Sequence, residues 1–327
     1  MKILLTGGAG YIGSHILLSA LEKNHQVTVI DDLSTGNINL IPGNVKLIRC
    51  NINDKETISN LLKAEKFDML LHFAGFIKVE ESVNNPNKYF KNNTYNAISL
   101  FENCYQNNLS NIIFSSTAAV YGNPVNKSSI TESTSLNPLN PYGESKVKTE
   151  KYLIENKNKF NSIILRYFNV AGADPKLRSG LISDEPTHLI KILSEVVAGK
   201  RSKMAVYGND YNTPDGTAIR DYIHVSDLAD IHLKAADYLL ENKNTEIFNC
   251  GYGFGYSVLD VINAANKLYN NSIQFDFLDR RPGDSEQLIA NVDKLHEYMK
   301  WKPKFNDLDI IIKTSVEWEK KIHEKNI

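Results

Sequence analysis

The sequence predicts an α/β fold, a doubly wound parallel sheet carrying a smaller C-terminal α/β lobe. Three observations predict it. Short apolar runs alternate with longer stretches of helical spacing through the first half of the chain. The first run leads into a glycine-rich turn, and an amphipathic stretch leaves it. Beyond residue 170 the alternation loosens into Gly-, Pro- and Asp-rich segments between helix candidates. Alternating strands and helices favour a parallel sheet covered on both faces, and right-handed crossovers favour double winding.

Taken in order, Lys2–Thr6 is a compact apolar strand, and Tyr11–Lys23 repeats apolar residues at helical spacing. Val27–Ile30 and Val45–Ile48 read as the next strands. The polar helix Lys55–Ala64 leads to the strand Met69–Phe73. One long helix is expected from about Asn87 to Asn107, then the strand Ile112–Ser115, a helix after Pro141 and the strand Ile163–Tyr167. In the second half, helices are expected near Thr187–Gly199, Ser226–Leu240 and Ser257–Leu268. Loops are expected over Asp174–Pro186, Gly208–Gly216 and Arg280–Asp284. The strand Ile247–Asn249 is expected to return to the sheet. The expected division is therefore residues 1–170 plus about 218–250 for the sheet domain, and about 171–217 plus 251–327 for the lobe.

Composition narrows the class. In 327 residues, 37 Lys+Arg face 38 Asp+Glu, a formal charge of −1. That balance gives no basic field for nucleic acid. Hydrophobic residues make up 42% and charged residues 23%, which excludes disorder and low-complexity architectures. Met1–Leu5 opens like a leader peptide, but Thr6-Gly7-Gly8 interrupts it at once. No apolar run reaches the roughly 18 residues of a membrane span, so a soluble, cytoplasmic protein is expected. Cys50, Cys104 and Cys250 are too few and too scattered for a disulfide framework. His15, His72 and His224 lack ligand-like spacing, so no metal is assigned.

Gly7-Gly8-Ala9-Gly10-Tyr11-Ile12-Gly13 spaces three glycines G-x-x-G-x-x-G between a strand and a helix. Gly7 permits a tight turn, Gly10 lets the backbone approach a pyrophosphate, and Gly13 lets the helix pack on the strand. The diphosphate then meets free N–H groups at a helix N-terminus. Asp31, at the end of the second strand, is placed to bond the adenosine ribose and repel a 2′-phosphate, which selects NAD over NADP.

Tyr142 and Lys146 stand at i and i+4 after Pro141, on one face of a helix. Tyr298 and Lys302 repeat the spacing but run into Pro303 without a phosphate motif, so the pair at 142 and 146 is the meaningful one. Ser115-Ser116-Thr117 ends a strand, where open α/β sheets bind their ligands. A hydroxyl, a phenol and an amine together can move a proton off an alcohol during hydride transfer. Bringing a tyrosine from pKa ~10 to ~7 takes roughly 4 kcal/mol. One cation ~5 Å away supplies about 3 kcal/mol at an effective dielectric of ~20. Lys146 therefore needs help from the positive ring of oxidised nicotinamide, and Tyr142 is expected to be a good base chiefly with NAD bound.

These residues resemble the extended short-chain dehydrogenases/reductases, and among them the UDP-glucose (UDP-galactose) 4-epimerase family. The likeness runs through Thr6–Ser14, His72–Gly75, Phe114–Gly122, Pro141–Lys146, Leu165–Ala173, Tyr207–Val225 and Arg280–Asp284. The resemblance implies that Tyr142 takes the proton of the sugar 4-hydroxyl while NAD takes the hydride, and that the hydride returns to the other face of a 4-keto sugar. It gives Thr117 the bond to the reacting oxygen and Lys146 the nicotinamide ribose. It implies NAD contacts at Gly7, Gly10, Tyr11, Ile12, Gly13, Asp31, Asn51, Ile52, Phe73, Ala74, Asn92, Ser115, Tyr142, Lys146 and Tyr167. It implies a UDP-sugar held by Thr117, Tyr142, Asn169, Arg220, Arg281 and Asp284, and a homodimer paired through helices of the NAD domain.

Four positions depart from the family pattern. Asn51 stands where an aspartate often meets adenine, Ile77 replaces a lysine near the diphosphate, and His188 replaces a uracil-side asparagine. Leu288 lies where a large aromatic excludes N-acetyl groups and smaller residues admit them, so UDP-N-acetylglucosamine is a further expected substrate. A nucleotide-sugar 4,6-dehydratase would need Asp-Glu after the hydroxyl, where this chain has Ala118-Ala119. A uronic-acid sugar epimerase or decarboxylase shares the core and needs a cation for the sugar carboxylate. A non-catalytic NAD- or sugar-binding protein would be expected to lack Tyr142, Lys146 or the hydroxyl at 117.

Overall fold

The computed structural model describes residues 1–325 apart from 128, 271, 282 and 283. Within the loop expected at Arg280–Asp284, Pro282 and Gly283 thus lie outside the described residues. The first six strands are β1 (Lys2–Thr6), β2 (Gln26–Ile30), β3 (Lys46–Ile48), β4 (Met69–His72), β5 (Asn111–Thr117) and β6 (Asn161–Tyr167). Four short strands follow, β7 (Asn169–Ala171), β8 (Met204–Tyr207), β9 (Ile219–Arg220) and β10 (Tyr222–His224). After β11 (Thr245–Cys250) come β12 (Tyr256–Ser257), β13 (Phe275–Leu278) and β14 (Gln287–Leu288). The central sheet has seven strands in the order β11-β6-β5-β4-β1-β2-β3, every neighbouring pair parallel. The strand order reverses between β1 and β4, which opens a crevice at their carboxyl ends.

The sheet is covered on both faces, which explains why its strands are nearly continuous apolar runs. Alternation along β1 sends Ile3 and Leu5 to one face and Leu4 to the other. On the first face lie α1 (Tyr11–Glu22) and, from far along the chain, α8 (Val225–Asn242). On the second lie α2 (Lys55–Ala64), α5 (Ala97–Gln106) and α6 (Pro141–Glu155). The strands and helices of the first half thus match the alternation in the sequence to within a few residues.

The long helix expected over 87–107 is the main exception. After the short α3 (Val79–Asn84) and α4 (Pro86–Tyr89), the chain widens into a π-helical stretch, Phe90–Asn96, before α5. Competing partners explain the widening. The Thr149 hydroxyl of α6 donates to the Asn93 carbonyl at 2.8 Å, and the Thr94 hydroxyl donates to the Ser145 carbonyl at 2.9 Å.

The lobe holds α7 (Leu189–Val197), α9 (Val258–Tyr269), α10 (Asp293–Met299) and α11 (Leu308–Lys325). Three small sheets pair β10 with β7, β9 with both β12 and β14, and β13 with β8. Sequence reasoning passed over the last two helices, although Leu308, Ile311, Ile312, Val316 and Ile322 of α11 are buried at helical spacing. The short strands carry no signal, because two to four residues show no period. Among the described residues, no helix is long and apolar enough to cross a membrane.

Candidate active site

The glycine turn joins β1 to α1 as its spacing requires. Gly7 has φ +74°, and a Cβ there would lie 2.6 Å from the Ala74 nitrogen. A Cβ on Gly13 would lie 2.1 Å from the Gly7 carbonyl oxygen, so helix and turn meet backbone to backbone. The first turn of α1 contains no acidic residue, and no side chain caps it. Its N–H groups, including those of Tyr11 and Ile12, are left to meet an anion. This cradle fits the pyrophosphate of a dinucleotide.

Asp31 sits beside the turn, buried, with its two oxygens accepting the Ala9 and Leu33 N–H groups at 2.9 Å each. Burial raises its carboxyl pKa. Asn51 donates to Asp32 at 2.6 Å and accepts the Asn53 N–H at 3.1 Å, beside the buried Ile52. The Phe73 N–H donates to the Thr6 carbonyl at 3.0 Å, and the Phe73 ring rests 4.9 Å from His232. Ala74 contacts the Thr6 hydroxyl at 3.5 Å. Asn92 donates to the Asn93 side chain at 3.1 Å, in the π-helical stretch. Tyr167, buried at the end of β6, bonds His232 at 2.5 Å, and its neighbour across the strand is Thr117. These residues line the carboxyl edge of β1, β2, β4, β5 and β6.

The three catalytic candidates converge at the end of β5. Asn140 caps α6 by accepting the Gly143 N–H at 2.9 Å, and Pro141 occupies the first turn. This start brings Tyr142 toward Thr117, whose hydroxyl acts to pull the phenol's pKa down. Burial acts more strongly in the other direction, so the phenol stands above its usual value. One turn on, Lys146 donates to the Ser115 carbonyl at 2.8 Å and lies 4.9 Å above the Phe114 ring. Burial lowers the Lys146 pKa to about 8, with Glu150 acting upward. Sequence reasoning passed over Glu150, although it continues the four-residue spacing of 142 and 146. It also passed over its partner Arg166, which bonds it at 2.6 Å with both groups fully buried.

Across the crevice, Arg220 and Arg281 meet on Asp284. Arg220 donates to one carboxylate oxygen at 3.2 Å and Arg281 to the other at 3.2 Å. The Arg281 guanidinium also lies 4.7 Å over the Tyr207 ring. Leu288 pairs with Arg220 in the register of β14 and β9, and packs on the cluster that contains Ala118 and Phe168. Asn169 opens β7, in register with Tyr222 of β10, and is exposed toward a cavity of about 40 Å³. His188, exposed at the start of α7, lines the same cavity. Ile77 is exposed, and Lys78 beside it pairs with Glu185 at 2.9 Å.

Comparison with known proteins agrees with this geometry. The model of the NAD dependent epimerase/dehydratase family matches residues 3–251. The UDP-glucose 4-epimerase of Azospirillum brasilense is 43% identical over 325 residues, covering 99% of this chain and 93% of that one. The UDP-Glc/GlcNAc 4-epimerase of Campylobacter jejuni superposes with a TM-score of 0.85 at 43% identity, over 98% of this chain and 99% of that one. The UDP-glucose-4-epimerase of Stenotrophomonas maltophila, solved with bound NAD and formylated UDP-arabinopyranose, gives a TM-score of 0.96 at 30% identity, over 99% of each chain. The family match takes in the glycine turn, the end of β5 and the start of α6 alike, and so this chain belongs to the NAD dependent epimerase/dehydratase family.

Proposed function

We propose that this enzyme interconverts UDP-glucose and UDP-galactose by inverting carbon 4 of the sugar. The observation that carries the reading is the meeting of Tyr142, Thr117 and Lys146 at the end of β5, with a phosphate-ready helix on one side and the Arg220/Arg281 pair on the other. The named relatives support it. When bound, NAD supplies a positively charged ring that accepts the substrate hydride and later gives it back. Gly7, Gly10, Tyr11, Ile12 and Gly13 hold its diphosphate. Asp31, Asn51 and Ile52 hold its adenosine end, and Phe73, Ala74, Asn92, Ser115, Lys146 and Tyr167 surround its nicotinamide end.

Tyr142 removes the proton of the 4-hydroxyl and returns it after the sugar has turned over. Thr117 holds the reacting oxygen through a hydrogen bond. Because burial keeps the resting phenol protonated, Tyr142 acts as a base only beside positive charge, and Lys146 supplies one such charge. Arg220 and Arg281 match the two charges of the diphosphate, and Asp284 and Asn169 take the uridine side. Leu288 leaves more room than a large aromatic would, and this supports turnover of the N-acetylated pair as well. The Campylobacter relative is named for both substrates. Ala118 and Ala119 continue from Thr117 into a short 3₁₀ turn and offer no acid for a dehydration.

Residues 1–170 with about 218–250 form the NAD-binding part, and about 171–217 with 251–327 form the UDP-sugar lobe. The joining of β11 to β6 and the packing of α8 on α1 support that division. The protein is a cytoplasmic homodimer in this reading, paired through helices of the NAD-binding part.

The test is a coupled assay on both substrate pairs without added NAD. The wild type interconverts each pair with no net NADH. Tyr142→Phe keeps its fold and bound NAD but loses about 10²–10⁴-fold in kcat. Net accumulation of NADH, or full activity in that variant, rules the reading out.

A further inference from the structure

Below the Tyr142–Thr117 contact, α6 and β5 are laced together by two more. Tyr142, Lys146 and Glu150 recur every four residues and share one face of the helix. Opposite them, Ser115, Ser116 and Thr117 are consecutive. The Thr117 hydroxyl faces the phenol, the Ser115 carbonyl accepts from Lys146, and the Ser116 hydroxyl donates to the Glu150 carboxylate. Glu150 is wholly buried and Arg166 is 2% exposed. Arg166 stands in register with Ser116 on β6 and reaches Glu150 through Nε at 3.1 and 3.2 Å and Nη2 at 2.6 Å. Its Nη1 donates to the Tyr121 hydroxyl at 2.9 Å and to the Glu132 carbonyl at 3.1 Å.

A buried ion pair is an expensive way to fasten a helix, since apolar side chains of equal volume do it as well. What apolar packing lacks is a negative charge one turn along α6 from Lys146. The groups facing that amine can be named. From β5 come the Ser115 carbonyl and the Phe114 ring, and from β4 comes His72, which burial keeps neutral. Gly75 and Asn93 approach from the loop after β4 and the π-helical stretch. Tyr167 reaches Ser115 from β6, with Arg166 behind Glu150 on the same strand. Tyr142 and Glu150 come from α6 itself. Glu150 is the carboxylate of this set. Its charge acts against the desolvation that lowers the Lys146 pKa to about 8.

We propose that Glu150 is a positioning residue of the epimerisation, holding Lys146 protonated and fixing the register of α6 in which Tyr142 meets Thr117, while Arg166 and Ser116 hold Glu150. The proposal rests on the reading of Tyr142 as the base and Lys146 as its cationic neighbour. Remove the carboxylate's charge, and Lys146 sheds its proton more readily. The phenolate then loses a stabilising neighbour, and Tyr142 ionises at higher pH.

The test uses holoenzyme purified with its NAD. In Glu150→Gln the rising limb of kcat against pH moves up by about one unit, and kcat near neutrality falls about tenfold. Ultraviolet difference titration, each protein against its own Tyr142→Phe counterpart, reads the phenolate without turnover and shows the same upward move. Glu150→Asp, which keeps the charge, restores most of both. If Glu150→Gln fails to fold, the Glu150→Gln/Arg166→Gln double variant leaves no unpaired buried charge, and its phenolate midpoint also rises, by less. A midpoint and a rising limb that stay at the wild-type pH while only the melting temperature falls would overturn the proposal and leave Glu150 a structural residue. Retained activity in Tyr142→Phe overturns the assignment of the base itself, which separates the two failures.

Discussion

At the scale of single residues, the two ends of the crevice respond differently to change. Gly13 has no spare space, since an added Cβ would fall 2.1 Å from the Gly7 carbonyl oxygen. Gly13→Ala is expected to destabilise the protein by about 1–3 kcal/mol and to abolish copurification of NAD, read by absorbance of the denatured extract. Leu288 has space to trade. Leu288→Tyr is expected to lower kcat/KM for the N-acetylated pair about tenfold or more, with the glucose/galactose pair changed only a few-fold. Equal losses on both pairs would remove Leu288 as the selector. Glycines and the tyrosine–lysine pair are legible in sequence because their chemistry depends on local spacing. The Glu150–Arg166 pair is not, because its partners lie 16 residues apart and only the stacking of α6 on β5 and β6 brings them together.

At the scale of elements, the start of α6 matters more than its length. Asn140 caps the helix through the Gly143 N–H, one residue past the Tyr142 phenol. Asn140→Ala is expected to cost about 1 kcal/mol in the urea midpoint. It should also lower kcat more than it raises KM, because fraying displaces Tyr142 from Thr117. A variant that loses stability while keeping kcat would show that packing alone holds the first turn. Other elements were legible only in part. The apolar spacing over 87–107 gives the helix but not its π-helical stretch, since the Thr149 hydroxyl that draws out the Asn93 carbonyl and the Ser145 carbonyl that accepts the Thr94 hydroxyl both belong to α6. In the lobe, β9 exists only through its partners β12 and β14, and nothing in two-residue strands announces them.

For the whole molecule, acid is the sensitive direction. Burial lowers the pKa of His15 and His232 to about 4 and of His72 and His224 to about 3. The unfolded chain therefore binds protons at these four positions below pH ~6.5, whereas the folded chain does not. Their contribution is fully present above that pH and is lost as pH falls toward 4. The buried carboxyls of Asp221, raised to about 6, and of Asp31 and Asp227 run the other way and offset part of this loss. Urea unfolding from pH 7 to pH 5 should show stability falling more steeply than the ~1.4 kcal/mol per pH unit of a single histidine. A flat profile would mean that these rings take up protons in the fold as readily as in the unfolded chain.

The seventh strand has a consequence for how the protein is made. All the cofactor and proton-handling candidates up to Tyr167 leave the ribosome before β11 does, yet β6 keeps a bare hydrogen-bonding flank until β11 pairs with it. A fragment cut near residue 170 would carry nearly the whole chemical apparatus and still present an open apolar edge. Such a fragment should precipitate or swap partners with its own kind, and a nascent chain of that length needs shielding until the rest is synthesised.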